Sequence, residues 1–316
     1  MRIVFCGTPQ FAVPTLGALI AAGHQIALVV SQPDKPVGRS QTLTAPPVKQ
    51  AALAAGIPVA QPEKIRSNAE FRAQLEPIAP EAIVVVAYGR IIPPWMLALP
   101  RLGCINLHGS LLPKYRGAAP IQWAVAMGDA FTGNTTMLLE EGLDTGPILL
   151  QQTVPIEPHQ TAVDLFEILA REGAPLVVET LVGLADGTVQ PQPQNHEGAT
   201  FAPLLDREDG RMDFAARTAH ELVNRWRGFQ PWPGAFTTLD GKKLIAHRLQ
   251  VAGAEVAPEG VFAPGTIRIV DKRFLVACAA ETWLDLVEVQ LEGKKRMTAA
   301  EFLRGNPLSA GARLGA

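Results

Sequence analysis

The sequence predicts an α/β chain: a mostly parallel sheet with covering helices, followed by a small antiparallel β-barrel. Three observations carry this. Continuous apolar runs alternate with helical patterns over residues 1–190, the order of a parallel sheet. The stretch "TVQPQPQNHEGATFAPLL" (188–205) is Pro/Gln-rich and nearly uncharged, and reads as an extended interdomain linker. Beyond it come short strand-like runs joined by tight turns. At 316 residues the chain is long for one domain, and the boundaries expected are 1–189, a linker over 190–205, and 206–316.

In chain order, "RIVFCG" (2–7) is a buried strand ending in "GTPQ", and a helical pattern over 11–22 is closed by Gly23. "QIALVV" (25–30) is a second strand, so these three pieces form a βαβ unit. Residues 31–49 form a long Pro/Gly loop. "AIVVVAYG" (82–89), bounded by Pro80 and Gly89, suits a central parallel strand covered on both faces. "CINLH" (104–108) and "TTMLLE" (135–140) are further strands, and helices are expected over 47–55, 118–127 and 161–182. In the second half a helix over 216–227 leads to "PWPG". Strands follow at 235–239, 243–249, 265–270, 274–278 and 283–291, with a last helix at 299–304. No internal repeat is present.

Composition narrows the classes. With 47% hydrophobic and 18% charged residues a sizeable core forms and general disorder is excluded. Net charge is −2, no global sign of nucleic-acid binding, but it is uneven: −3 over residues 1–190 and +2 over 205–316. Three cysteines without CxxC spacing fit neither a disulfide framework nor a zinc site, and suit a reducing cytoplasm. The first apolar run is shorter than the roughly 7–15 residues of a signal peptide core. No stretch approaches the roughly 20 apolar residues of a membrane span. No long heptad pattern suggests assembly, so a monomer is expected.

The chemistry gathers at strand ends, where open α/β sheets bind ligands. Asn106 and His108, two apart in a strand, share a face, with Leu107 behind them. An Asn amide donates to a developing oxyanion, and a His does acid–base work near neutral pH. "EEGLDTGPIL" (140–149) offers Asp144 on a glycine-flanked loop at another strand end. Taken singly, each has an ordinary structural role: a hydrogen-bonded strand-end His, an Asx turn. Their conjunction carries the functional reading. There is no GxGxxG, GxxxxGK[ST] or GxSxG motif, and the six histidines lack metal-ligand spacing.

"FCGTPQFAVPTL", "QPDKPVGR", "VVAYGRIIP", "CINLHGSLLPKYRGAAPIQWA" and "EEGLDTGPIL" resemble the methionyl-tRNA formyltransferase family. "DREDGRMDF" and "RGFQPWPGAF" resemble its C-terminal domain, so the likeness covers nearly the whole chain. The Asn-x-His-x-Ser-Leu-Leu-Pro run is shared by wider 10-formyltetrahydrofolate enzymes, whereas "PKYRGAAPIQ" narrows the likeness to this family. The resemblance implies a Rossmann-like formyltransferase domain followed by an oligonucleotide-binding-like (OB-like) barrel. It implies formyl transfer from 10-formyltetrahydrofolate to methionyl initiator tRNA, without a metal. It makes Asn106, His108 and Asp144 the catalytic set. It places Ser110, Leu111, Leu112 and Pro113 against the folate, with Val86, Ala87, Tyr88 and Gly89 lining the pterin pocket. It gives Arg39, Lys114 and Arg116 to the tRNA. Many members carry a lysine pair shortly after the loop arginine; here Gln41 and Thr42 stand instead. In the second half Lys242, Lys243, Arg248, Lys272, Arg273, Lys294, Lys295 and Arg296 are candidates for one phosphate-tracking face. Rival readings are a formyltransferase acting on a small amine, and a folate- or RNA-binding protein without turnover. The second domain and the Arg39 loop count against the first, and the acid–base set against the second.

Overall fold

The computed structural model describes residues 1–38, 41–308 and 311–315, and the chain divides into two compact units. The first comprises residues 1–120, 131–156 and 164–203; the second comprises 121–130, 157–163 and 204–316.

In chain order the first unit contains β1 (Arg2–Gly7), α1 (Val13–Ala21), β2 (Gln25–Val30), β3 (Lys35–Val37), β4 (Thr42–Thr44), α2 (Pro47–Ala54) and β5 (Val59–Ala60). It continues with α3 (Ala69–Leu75), β6 (Ala82–Val86), α4 (Pro94–Leu97) and β7 (Cys104–His108). Next come α5 (Pro120–Ala126), most of which groups with the second unit, then β8 (Phe131–Leu138), β9 (Ile148–Pro155) and α6 (Ala162–Asp186). Among the described residues seven strands form the main sheet, in the order β5-β2-β1-β6-β7-β8-β9. The first five run parallel, as expected for a Rossmann-like sheet, and β8 and β9 add on antiparallel.

Period-2 alternation sorts the central strands onto two cores. Ile3, Phe5, Val84, Val86, Ile105 and Leu107 face one helical layer with Leu16, Val48 and Val177. Val4, Cys6, Ile83, Val85 and Cys104 face the other, with Phe71, Leu75 and Met96. Cys104 is therefore the buried anchor of the face that carries Asn106 and His108 further along the same strand.

The structure changes several expectations. The strand expected over 82–89 stops at Val86, because Ala87 and Gly89 adopt positive φ (46° and 78°), a conformation no strand continues through. The 31–49 loop carries the short β3–β4 hairpin. The helix expected over 161–182 runs on to Asp186 with Pro175 inside it. β9, α3 and α4 had no sequence expectation: β9 has mixed burial, and α4 is a single turn. The strand "TTMLLE" is not a parallel strand end. β8 pairs His108 with Thr135 and Ile105 with Leu138, so it leaves the sheet at the opposite end of β7.

The second unit contains α7 (Ala219–Gly228), β10 (Phe236–Leu239), β11 (Lys242–Val251), β12 (Ile267–Val270), β13 (Arg273–Ala277), β14 (Trp283–Leu291), β15 (Met297–Thr298) and α8 (Ala299–Gly305). Six strands among the described residues form an antiparallel sheet, β10-β11-β14-β13-β12 with β15 on β14, curled into a half-barrel. Its core gathers Leu244, Ala246, Leu249, Phe274, Val276, Leu284, Leu286 and Val289 under Leu222 of α7 and Phe302 of α8. Both helices start with a reciprocal capping box, Thr218 with Glu221 and Thr298 with Glu301. Residues 157–163 join this unit through the buried guanidinium of Arg227, which donates to the carbonyls of Gln160 (2.7 Å) and Glu157 (2.9 Å).

Candidate active site

β7 ends in a deliberate arrangement. Ile105 and Leu107 point into the core, so Asn106 and His108 emerge together on the other face, 8% and 6% exposed. The chain then turns sharply through 109–117. Ser110 is buried, and its hydroxyl donates to the carbonyl of Lys114 (2.7 Å). The Thr135 hydroxyl, cross-strand from His108, donates to the Ser110 carbonyl (2.6 Å) and accepts from the Leu112 N–H (3.1 Å). The Gln151 amide donates to the Leu112 carbonyl (2.9 Å). The loop is thus clamped from β8 and β9 before the cis Leu112–Pro113 bond. Gly133 leaves room for Leu111, whose side chain lies 2.6 Å from where a Cβ would sit.

The clamp determines how His108 is used. Its Nε2 lies 2.9 Å from the Tyr115 carbonyl oxygen. A carbonyl only accepts, so Nε2 carries a proton and Nδ1 is the nitrogen left to exchange one. Nδ1 faces Asp144 Oδ2 at 3.8 Å, an ion-pair distance that is too long for a direct hydrogen bond. Asp144 arrives there although β8 leaves at the far end of β7, because residues 139–147 fold back. Leu138 N–H donates to the Pro147 carbonyl (3.0 Å), and Gly146 packs so tightly on the Leu138 carbonyl that a Cβ would collide with it. Asp144 itself has φ of +50°, and its carboxylate accepts from the Gly117 N–H (2.8 Å).

Residues expected against the folate are sorted by burial. Val86 and Tyr88 turn their side chains into the core, and burial pushes the Tyr88 phenol well above the usual range. Between and after them, Ala87 and Gly89 are exposed, leaving backbone open at the strand end. The Tyr88 carbonyl accepts from the Thr8 hydroxyl and the Gln32 amide, both at 3.1 Å. Leu112 is buried, whereas Leu111 and Pro113 are partly exposed.

The residues expected to meet tRNA separate. Lys114 is exposed. Arg116 is not: it is 4% exposed, and its guanidinium donates to Gln194 Oε1 (2.6 and 3.2 Å) and meets His196 Nδ1 (3.0 Å). So enclosed, the guanidinium spends these bonds on the protein's own side chains. Arg39 lies outside the described residues. In the second unit, Arg273 lies 3.9 Å from Asp285, Arg296 donates to Glu288 (2.8 Å), and the Lys243 ammonium sits 3.9 Å over the Phe236 ring. Among the described residues no cluster of His, Cys, Asp and Glu is placed to hold a metal, and no helix is long and apolar enough to cross a membrane.

Sequence reasoning missed the part that holds this site together. Residues 192–202, expected as linker, bond to the catalytic unit. Arg116 N–H donates to the Thr200 carbonyl (2.8 Å), Ala202 N–H to the Arg116 carbonyl (2.8 Å), and Tyr115 N–H to the Thr200 hydroxyl (2.9 Å). Thr135 and Gln151 were also missed. For Thr135 a signal was present: Asn134, Thr135 and Thr136 are consecutive polar residues in the part of β8, Thr132 to Met137, that is buried.

Comparison with known proteins bears on this geometry. The family model for formyl transferase matches residues 1–181, and the model for the formyl transferase C-terminal domain matches residues 204–307. The chain is 64% identical, over all 316 residues and the whole of the relative, to a methionyl-tRNA formyltransferase of Acidobacterium capsulatum. The chain belongs to the methionyl-tRNA formyltransferase family. A second family member, from Koribacter versatilis, is 54% identical across 100% of this chain and 99% of its own. In fold the chain is similar to a crystallised sugar 3N-formyl transferase, with a TM-score of 0.67 and 19% identity over 93% of this chain and 99% of that one.

Proposed function

We propose that this chain moves the formyl group of 10-formyltetrahydrofolate onto the free α-amine of methionine on initiator tRNA, giving N-formylmethionyl-tRNA for translation initiation. One observation carries the reading: buried Asn106 and His108 share a strand end with Asp144, in a chain 64% identical end to end to a methionyl-tRNA formyltransferase.

The amine attacks the formyl carbon, and negative charge gathers on the formyl oxygen. Asn106 and the imidazolium of His108 stabilise that oxygen in a crevice little exposed to water. With Nε2 committed to Tyr115, the proton on Nδ1 does this work. The 3.8 Å gap to Asp144 lets the charge be held without capturing that proton. Asp144 also positions a water that carries the proton lost by the attacking nitrogen to the leaving folate nitrogen. The carbon–nitrogen bond to the folate then breaks, releasing tetrahydrofolate. The reaction so written uses no metal and no covalent enzyme adduct.

The open backbone at Ala87 and Gly89 suits a flat heteroaromatic ring read through main-chain groups, with Leu111 and Pro113 as apolar neighbours. Lys114, and Arg39 on the 31–49 loop, are the charges read as facing the acceptor end of tRNA. The reading takes the protein as a cytoplasmic monomer, in keeping with its three unpaired, buried thiols.

The test is formyl transfer from 10-formyltetrahydrofolate to methionyl initiator tRNA, wild type against His108→Ala, with uncharged tRNA and a glycinamide-type amine as controls. The expected result is transfer to charged tRNA alone, with most of the rate lost in the variant. Formylation of the small amine would show the substrate to be wrong. A fully active His108→Ala would remove the proposed site.

A further inference from the structure

Two loops bring the Asp144 carboxylate to His108, and one buried side chain joins them. The Gln194 amide nitrogen donates to the carbonyls of Asp144 (2.8 Å) and Gly146 (2.7 Å). Its oxygen accepts from Nε (3.2 Å) and one terminal nitrogen (2.6 Å) of Arg116. A side-chain amide has two N–H donors and two acceptor lone pairs. All four are used here, two on the Asp144 loop and two on the residue next to Gly117. The Gly117 N–H in turn binds the Asp144 carboxylate (2.8 Å). Gln194 is 6% exposed and Arg116 4%, so water does not substitute readily for either. The loop held this way lies outside helix and strand, and Asp144 sits in it at φ of +50°, a conformation that surrounding bonds must impose.

We propose that Gln194 is the positioning residue for Asp144, locking the Asp144 loop to Arg116 so that the carboxylate stays at its working distance from His108. The proposal rests on the reading that Asp144 takes part in formyl transfer. It gives the 192–202 stretch a role in the chemical step. It also explains why Arg116 is enclosed: its guanidinium orients the amide, and so dictates that the amide nitrogen faces the two carbonyls. Glutamate at 194 keeps the shape and the Arg116 contact, but turns an oxygen onto the carbonyls of Asp144 and Gly146. Methionine keeps the length and loses both sets of bonds.

The experiment measures kcat, and KM for both substrates, for Gln194→Glu and Gln194→Met, each alone and combined with Asp144→Asn. Misplacement of a catalytic group by about 1 Å costs on the order of 100-fold in rate, so kcat should fall by about that factor. Both KM values should stay within about threefold, because all four bonds of the amide go to the protein's own groups. In the Asp144→Asn background the same substitutions should cost less than about threefold, since the group they position is already disabled. A kcat near wild type, a rise in KM alone, or a full second loss in the Asp144→Asn background would each overturn the proposal. If both Gln194 variants fail to fold, the residue is a stability element and the proposal falls too. Failure of the underlying reading looks different: Asp144→Asn by itself would then keep the wild-type rate.

Discussion

Asp144→Asn removes one charge and little else. The asparagine side-chain oxygen can still accept from the Gly117 N–H, now 2.8 Å from the carboxylate, so the loop keeps its bond to 110–117. On the proposed mechanism, what disappears is the attraction between the carboxylate and the imidazolium that His108 presents to the reacting oxygen, across 3.8 Å. At an effective dielectric of about 20 that attraction is worth about 4 kcal/mol. The figure is an upper one, because Asp144 keeps 13% exposure and mobile ions screen it. Each 1.4 kcal/mol is about tenfold in rate, so kcat is expected to fall between roughly 100-fold and 1,000-fold. The assay is single-turnover formyl transfer with enzyme in excess over methionyl initiator tRNA and the formyl donor saturating, so that product release does not mask the chemical step. The thermal midpoint, measured alongside, should move little. A loss under tenfold in a folded variant would refute the claim that the carboxylate charge sustains the imidazolium.

Gly146→Ala should abolish activity and lower stability, because the new Cβ would collide with the Leu138 carbonyl and push the Asp144 loop away from His108; activity near wild type in a soluble variant would count against the fold-back. The thiols of Cys6, Cys104 and Cys278 are buried and shifted upward by desolvation, Cys104 and Cys278 to about 12, so a disulfide reagent at pH 8 should label none in the native protein and three after denaturation. The same shifts fix a sign: an unfolded thiol ionises near pH 9 while the folded one stays neutral, so their contribution to stability is complete below pH 9 and lost as pH rises towards 12. Cys104→Val should flatten the decline in denaturation midpoint between pH 9 and 11. Thr218→Ala removes the hydroxyl arm of a capping box, leaving the backbone N–H bond to Glu221, and should cost about 1 kcal/mol of stability in chemical denaturation, with kcat unchanged.

The sequence by itself determined what short-range chemistry dictates. Apolar runs specified β1, β2, β6 and β7, since a strand covered on both faces needs little beyond continuous burial. The two-residue spacing put Asn106 and His108 on one face, because strand geometry leaves no alternative. Turn signals marked the second unit's strands, and 283–291 matches β14 end to end. Tertiary structure decided what depends on partners distant in sequence. Antiparallel pairing of β8 follows from hydrogen bonds to β7, which no local pattern encodes, so the route of the Asp144 loop was illegible. Arg116 read in "KYRG" as a candidate tRNA contact; its enclosure depends on Gln194 and His196, 78 and 80 residues away. The stretch 190–205 has a linker's composition, and its bonding to the loops at 110–117 and 139–147 comes from backbone groups and the side chains of Gln194, His196 and Thr200, which composition does not reveal. Which ring nitrogen of His108 is free to work was likewise decided by where the fold brings the Tyr115 carbonyl.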